Sequence, residues 1–254
     1  MLLSVDIGNT TITLGLYDGE TPGPRWRLET VRTRLSDEYG LTLRALLADA
    51  GIPKDAVTDA AISSVVPPLT GTWEEVSRRS LSVEPLVVGT GVRTGVRILY
   101  DDPKQVGADR IVNAAAVKAL WGGPACVVDF GTGTTFDALS ESGDYLGGAI
   151  APGIGIAAEA LHVRAAKLPR VDLVRPPAAI GRNTEHALQS GLLFGYVGLV
   201  EGMVERFRRE LGPKMKVVAT GGYCELLARE TPVLSILAPW LTLDGLRIVH
   251  ALNR

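Results

Sequence analysis

Two stretches of this sequence combine acidic, glycine and hydroxyl residues at spacings suited to phosphate chemistry. The first, Asp6-Ile7-Gly8-Asn9-Thr10-Thr11-Ile12-Thr13, follows the apolar run Leu2-Leu3-Ser4-Val5. The second, Asp129-Phe130-Gly131-Thr132-Gly133-Thr134-Thr135-Phe136-Asp137, follows Val127-Val128. In each, a buried-strand pattern runs into a loop whose glycines let backbone N–H groups approach an anion without Cβ interference, while the threonines add hydroxyl donors. Carboxylates at Asp6, and at Asp129 and Asp137 on either side of the second loop, suit a metal ion better than a bare phosphate. Asp129 stands 123 positions after Asp6 in a chain of 254 residues, which reads as an internal duplication.

The elements that must hold these loops follow from periodicity. Thr11 to Tyr17 alternates polar and apolar residues up to Asp18-Gly19, a strong hairpin dipeptide, and a third strand is expected over Arg25 to Thr30. A helix opens at Ser36-Asp37-Glu38 and ends at Gly51 and Pro53. A buried strand over 60–66 stops at Pro67-Pro68, with a helix over Leu69 to Ser80 and a short strand over 85–88. A helix is expected over Ile111 to Trp121, and Gly122-Gly123-Pro124 is the expected domain junction. The second half repeats the plan, with strands over 125–128, 134–140 and 145–150. Helices are expected at Ile154 to Leu161 and Asn183 to Glu210, then a strand over 216–219 that enters Thr220-Gly221-Gly222, and a closing helix after Leu241. The order β-β-β-α-β-α-β of the first half, whose opening plan the second half repeats, predicts an α/β chain of two ribonuclease H-like lobes, residues 1–121 and 122–254.

Composition narrows the partners. A net charge of −2 with mixed signs provides no basic field for nucleic acid. The start of the chain lacks a basic leader pattern, and no uninterrupted apolar run reaches the roughly 18 to 20 residues of a bilayer span, so a cytoplasmic protein that contacts no membrane is expected. Cys126 and Cys224 lack metal-ligand spacing and read as small buried hydrophobes. His162, His186 and His250 are scattered singly and read as surface or packed histidines.

Taken together, Asp6-Ile7-Gly8-Asn9-Thr10, Gly107-Ala108-Asp109-Arg110, Asp129-Phe130-Gly131-Thr132, Gly147-Gly148-Ala149-Ile150-Ala151-Pro152-Gly153, Gly181-Arg182-Asn183-Thr184 and Thr220-Gly221-Gly222 make the chain resemble type III pantothenate kinases, in the correct order from Asp6 to about Gly245. No one motif suffices, since D-x-G-x-T loops occur throughout the sugar kinase, actin and Hsp70 superfamily. The resemblance implies the duplicated actin-like ATPase fold, a homodimer, and transfer of the ATP γ-phosphoryl group to pantothenate, the first step of coenzyme A synthesis. It assigns ATP to Asp6, Ile7, Gly8, Asn9, Thr10, Thr11, Ile12, Thr13, Thr132, Gly221 and Gly222. Mg²⁺ is assigned beside Asp6, and a monovalent cation, K⁺ or NH₄⁺, to Asp129. Pantothenate is assigned to Tyr100, Gly107, Ala108, Asp109, Arg110 and Thr184, with Asp109 as the general base. Gly133 departs from the family, which usually has Ala there.

Other readings stay open at this stage. By position alone Asp109 is a helix N-cap, Thr184 a first-turn helix residue and Gly221-Gly222 a strand-to-helix turn. The whole chain could also be a kinase for another small hydroxylated acceptor, or a nucleotide-binding transcriptional accessory factor without chemistry. The apolar circumference of the 183–210 helix, with Leu192 taken as an outward position, points to a dimer interface.

Overall fold

The computed structural model describes residues 1–254, which divide into two compact units. The first comprises residues 1–97, 101–119 and 241–254, and the second residues 98–100 and 120–240.

In the first unit, β1 (Leu2–Ile7), β2 (Thr11–Asp18), β3 (Thr21–Glu29), β4 (Asp59–Ser64) and β5 (Pro85–Val87) form one sheet in the order β3-β2-β1-β4-β5. β1 is antiparallel to β2 and parallel to β4. The parallel pairing requires a crossover, which α1 (Ser36–Asp49) supplies, as α2 (Pro67–Val76) does between β4 and β5. Alternation along the strands sends Leu3, Val5, Ile7, Ile12, Leu14 and Leu16 into a core with Tyr39, Leu43, Leu69 and Trp73 of these two helices. Pro67 and Pro68 end the strand as expected but also form the first turn of α2, where a missing N–H goes unfelt.

The opposite face of that sheet carries Ser4, Asp6, Thr13 and Gly15, and its small residues admit helices closely. α3 spans Ala108–Leu120 and α7, at the end of the chain, Leu241–Leu252. A Cβ at Gly15 would stand 2.7 Å from Leu243 Cδ1, and one at Gly245 only 2.1 Å from the carbonyl oxygen of Val112. Thr242 Oγ1 donates to Asn113 Oδ1 at 2.9 Å, and Tyr17 Oη donates to Asp244 Oδ1 at 2.7 Å. The closing helix, expected in the second half, therefore belongs to the first unit. Sequence order hid this, because the partners of α7 lie more than a hundred residues upstream.

The second unit repeats the topology. β6 (Ala125–Phe130), β7 (Gly133–Leu139), β8 (Tyr145–Pro152), β9 (Lys216–Gly221) and β10 (Ile236–Leu237) lie in the order β8-β7-β6-β9-β10, the counterpart of the first sheet strand for strand. The residues facing Asp6 are Thr13 and Ser63, and those facing Asp129 are Thr135 and Thr220, so the duplication extends to register. α4 (Ile154–Arg164) follows β8, and α6 (Cys224–Ala228) follows β9. α5 (Thr184–Leu211) is capped by Asn183, whose Oδ1 accepts from the His186 N–H at 2.8 Å, and it ends at Gly212 with φ of 92°.

α5 is 28 residues long and apolar enough to cross a membrane by length and composition. Its Leu193, Val200 and Val204, however, pack with Cys126, Val128, Phe130 and Phe136 as the core of the second sheet. Leu192 is 5% exposed, so it is not the outward position expected from composition. The helical wheel identifies an apolar surplus but not which stripe meets the sheet.

These contacts predict opposite outcomes for two glycine-to-alanine changes. Gly245→Ala forces α7 off α3 and lowers thermal stability by a few kcal/mol, on the scale of core overpacking at about 1–3 kcal/mol. Gly71→Ala, in α2 with no atom within 4 Å of a new Cβ, raises stability by about 1 kcal/mol. Denaturant melts of the two variants check both signs.

Candidate active site

In the first unit the turn after β1 is closed by Gly8, whose N–H donates to the Thr11 carbonyl at 3.0 Å. A Cβ at Gly8 would meet that oxygen at 2.9 Å, so a larger residue would push the loop open. Two residues that the sequence alone did not single out brace the loop from outside. Thr30 Oγ1 donates to the Gly8 carbonyl at 2.7 Å, and Arg32 Nη2 donates to Asn9 Oδ1 at 3.0 Å. Neither carries a local signal, since only strand pairing brings them beside the loop. Asn9 and Thr10 are exposed, and Asp6 is half-buried at the penultimate position of β1. The result is a rigid turn with outward polar groups beside a carboxylate, the arrangement expected of a phosphate cradle.

Asp109 lies in the same unit. α3 begins at Ala108 rather than at Ile111, so Asp109 is in the first turn and not ahead of it. The Gly107 carbonyl accepts the N–H of Ile111 at 3.2 Å, which leaves Gly107 at the cap position. The N–H of Arg110 donates to Asp109 Oδ1 at 2.8 Å. A Cβ at Gly107 would meet that same Oδ1 at 2.4 Å and Val65 Cγ1 at 3.3 Å. Gly107 is thus required because its neighbour's carboxylate folds back over it. Val65 is tied to the end of β1, since its N–H donates to the Ile7 carbonyl at 3.1 Å. The structure therefore sets Asp109 beside the ends of β1 and β4, where Asp6 stands. Burial pushes the Asp109 carboxyl above the ordinary range, and the Arg110 N–H and guanidinium oppose this in part. Such a carboxylate is a better proton acceptor than a solvated one.

In the second unit the loop after β6 is held from both sides. The Gly131 N–H donates to the Gly133 carbonyl at 3.1 Å, and the Gly153 N–H donates to the Thr132 carbonyl at 3.1 Å. A Cβ at Gly153 would stand 2.3 Å from that carbonyl oxygen, which explains why the Gly147–Gly153 segment ends in glycine. Gly221 closes β9 with φ of 88°, and a Cβ there would lie 2.5 Å from Asp129 Oδ1. One at Gly131 would lie 3.6 Å from the same oxygen. Two glycines thus leave room around this carboxylate, and the residues fit a cation there. No group of three His, Cys, Asp or Glu side chains converges anywhere in the chain, so a cation at Asp129 or Asp6 would take most of its ligands from phosphate, water or backbone oxygens.

Asp137 departs from expectation. It lies on β7, fully buried, and accepts from Tyr145 Oη at 2.8 Å and Thr135 Oγ1 at 3.1 Å. It shares a sheet face with Asp129, whose cross-strand neighbour is Thr135, but stands two residues further back from the loop, and its two hydroxyl partners satisfy it within the sheet. Tyr100 also belongs to the second unit, through the bridge of Ile98 to Tyr145, and packs its ring 6.3 Å from that of Tyr145 and against Gly147. Thr184 is exposed at the first position of α5, while Gly107 to Arg110 belong to the first unit. The histidines serve structure: His162 Nδ1 lies 3.1 Å from the Leu168 carbonyl, His186 sits in the cap of α5, and His250 faces Asp59 at 3.4 Å.

With this geometry in place, likeness to known proteins is decisive. The model of the type III pantothenate kinase family matches residues 2–206. The chain belongs to that family. It is 54% identical to the type III pantothenate kinase of Anaeromyxobacter sp. (strain Fw109-5) and 52% identical to that of Moorella thermoacetica, with all of each chain covered in both comparisons. The Myxococcus xanthus enzyme of the same name is 51% identical, with 100% of this chain and 99% of that one covered. Solved structures share the fold at low identity. A Campylobacter jejuni protein named as a Baf family transcriptional activator superposes with a TM-score of 0.62 at 20% identity, over 99% of this chain and 98% of that one. The polyphosphate/ATP-glucomannokinase of Arthrobacter sp. strain KM superposes with a TM-score of 0.54 at 16% identity, over 100% and 99%. The two-lobe ribonuclease H-like architecture expected from the repeated element order is thereby established.

The raised carboxyl of Asp109 has a stability consequence with a definite sign. A folded-state value above the unfolded one stabilises the fold fully below the unfolded value, near 4, and that contribution is lost as pH rises through the folded value. Asp109→Asn, which mimics the protonated acid, is therefore more stable than the parent at neutral pH, and the difference closes toward pH 3 in thermal melts. Turnover of the same variant falls by roughly 10²-fold or more, the scale of a lost general base.

Proposed function

We propose that this protein phosphorylates pantothenate with ATP, giving 4'-phosphopantothenate and ADP at the entry to coenzyme A synthesis. The observation that carries the reading is Asp109. Its half-buried carboxylate is held over Gly107 at the start of α3, with a raised proton affinity, beside the ends of the strands that bear the first phosphate loop. A primary alcohol is a weak nucleophile until its proton is taken, and the position and raised proton affinity of Asp109 support a role in taking it. Arg110, next along the helix, offers a two-pronged donor suited to the pantothenate carboxylate. Tyr100, packed on Tyr145 and Gly147, supplies an aromatic wall, and Thr184 a hydroxyl.

The backbone N–H groups and hydroxyls of Gly8 to Thr13 in one loop and of Thr132 in the other hold phosphate oxygens, and Gly221-Gly222 leave room for the nucleoside. Catalysis rests mainly on positioning and charge neutralisation, as is general for phosphoryl transfer. Mg²⁺ beside Asp6 neutralises phosphate charge when bound. Asp129 would hold a K⁺ or NH₄⁺ ion, which would supply positive charge beside the phosphates. The test is a coupled assay with pantothenate and a panel of sugars as acceptors, run in K⁺ and in Na⁺ or Tris. Pantothenate alone should be turned over, with a sharp fall in rate without K⁺. Equal rates in Na⁺ and K⁺ would remove the cation from Asp129, and turnover of a sugar instead would replace the acceptor.

The active species is a cytoplasmic homodimer in this reading. Support comes from α5, where Gly191, Gly195 and Gly198 recur on an exposed face with open space at each Cβ, beside Leu199 at 37% exposure. Small residues three and four apart let a second helix approach closely. Gly195→Glu, which meets no neighbour within the chain, should yield folded monomers by light scattering.

A further inference from the structure

A cavity of about 360 Å³ opens in the first unit at the end of the sheet opposite the phosphate loop, lined by Leu2, Tyr17, Gly19, Arg247, His250 and Ala251 among others. Leu2 and Asp6 are four residues apart on β1, so the cavity and the loop lie roughly 13 Å apart at about 3.3 Å per residue. The proposed ATP and pantothenate residues do not reach it.

Arg247 gives the cavity its chemistry. Its side chain is 15% exposed, and its buried Nε has no hydrogen-bond partner. A single carboxylate oxygen, Glu20 Oε1, lies near it, at 3.5 Å from Nη1 and on a side chain that is 90% exposed. Asp18 also lines the cavity but makes no ion pair with Arg247, and two further carboxylates nearby are engaged elsewhere. Asp244 accepts the Tyr17 hydroxyl, and Asp59 pairs with Arg254 while also accepting from Thr58. Burial holds the His250 imidazole below its ordinary range, so it enters the cavity as a neutral hydrogen-bonding group. A guanidinium this buried is costly without a full set of acceptors, and its flat fork matches an oxyanion. Leu2, Ala251 and the Tyr17 ring supply the apolar wall that an organic body would cover.

We propose that this cavity binds a small organic anion, a carboxylate or a phosphate ester, with the Arg247 guanidinium on its oxygens and its apolar part against Leu2 and Ala251. Glu20 then competes with the ligand for Arg247 from the rim. α7, which bears Arg247, is locked to α3 through Gly245 against Val112 and Thr242 to Asn113, and α3 bears Asp109. The helix that bears Arg247 thus packs directly on the one that carries the proposed base.

The test follows the Arg247 Nε–Hε resonance of the ¹⁵N-labelled full chain, assigned by its loss in Arg247→Lys, during separate titrations with benzoate, phenyl phosphate and inorganic phosphate. A saturable shift with benzoate or phenyl phosphate is expected, and whichever saturates identifies the headgroup. Glu20→Gln, a change on an exposed side chain, should tighten that binding by about threefold, the scale of one exposed ion pair. Shifts that fail to saturate with both organic probes would overturn the proposal. So would unchanged or weaker binding in Glu20→Gln, or inorganic phosphate binding as tightly as the organic anions.

Discussion

A strand that is hydrogen-bonded on both edges and covered on both faces can carry a carboxylate without dedicated side-chain partners only near its end. β1 and β6 are such strands, each between an antiparallel and a parallel neighbour. Each places its carboxylate, Asp6 or Asp129, one residue before the chain turns. Further back, the side chain would be an uncompensated charge in the core. Beyond the turn it would lose the fixed register with Ser63 or Thr220 that keeps it in place. The phosphate chemistry proposed for each unit depends on this placement, and the flanking strands and helices serve to keep the central strand buried.

Glycine is required where the backbone must come closer to these ends than a Cβ allows. Gly107 gives way to the carboxylate of Asp109, Gly153 to the carbonyl of Thr132, and Gly221 to the carboxylate of Asp129. Only Gly221 among the three also needs a positive φ. The other two are selected by space alone. Removing that space would displace the loops rather than strain the local chain.

The base proposed at Asp109 would set function against stability. Its desolvation is unfavourable to the fold at neutral pH, yet that same desolvation raises its proton affinity toward the range useful to a base. Asp137 provides the contrast within one protein. It is more deeply buried, but hydroxyls from Tyr145 and Thr135 satisfy it within the sheet. Residue type and spacing do not separate these two carboxylates, whereas their hydrogen-bond partners do.

The sequence by itself determined what depends on local pattern. Alternation over 11–17, the Asp18-Gly19 turn, the proline pair at 67–68 and the repeated Asp-x-Gly loops were enough to set most of the strands and the duplication, though not the short last strand of the second sheet. Each of these is a period or a short-range steric rule. The proposal of Gly107 to Arg110 as a site came through resemblance rather than spacing, since position alone made Asp109 an ordinary cap. What only the tertiary structure decided depends on residues far apart in the chain. Thr30 and Arg32 reach the first loop through strand pairing. α7 returns across the chain to the first unit because Gly245 and Gly15 leave room for it there. Leu192 faces inward because the register of a helix against its sheet is fixed by packing, and Asp137 is satisfied by Tyr145, which the neighbouring strand brings beside it. The under-partnered guanidinium of Arg247 belongs to the same class, since a charge lacks partners only relative to a fold that has already engaged them.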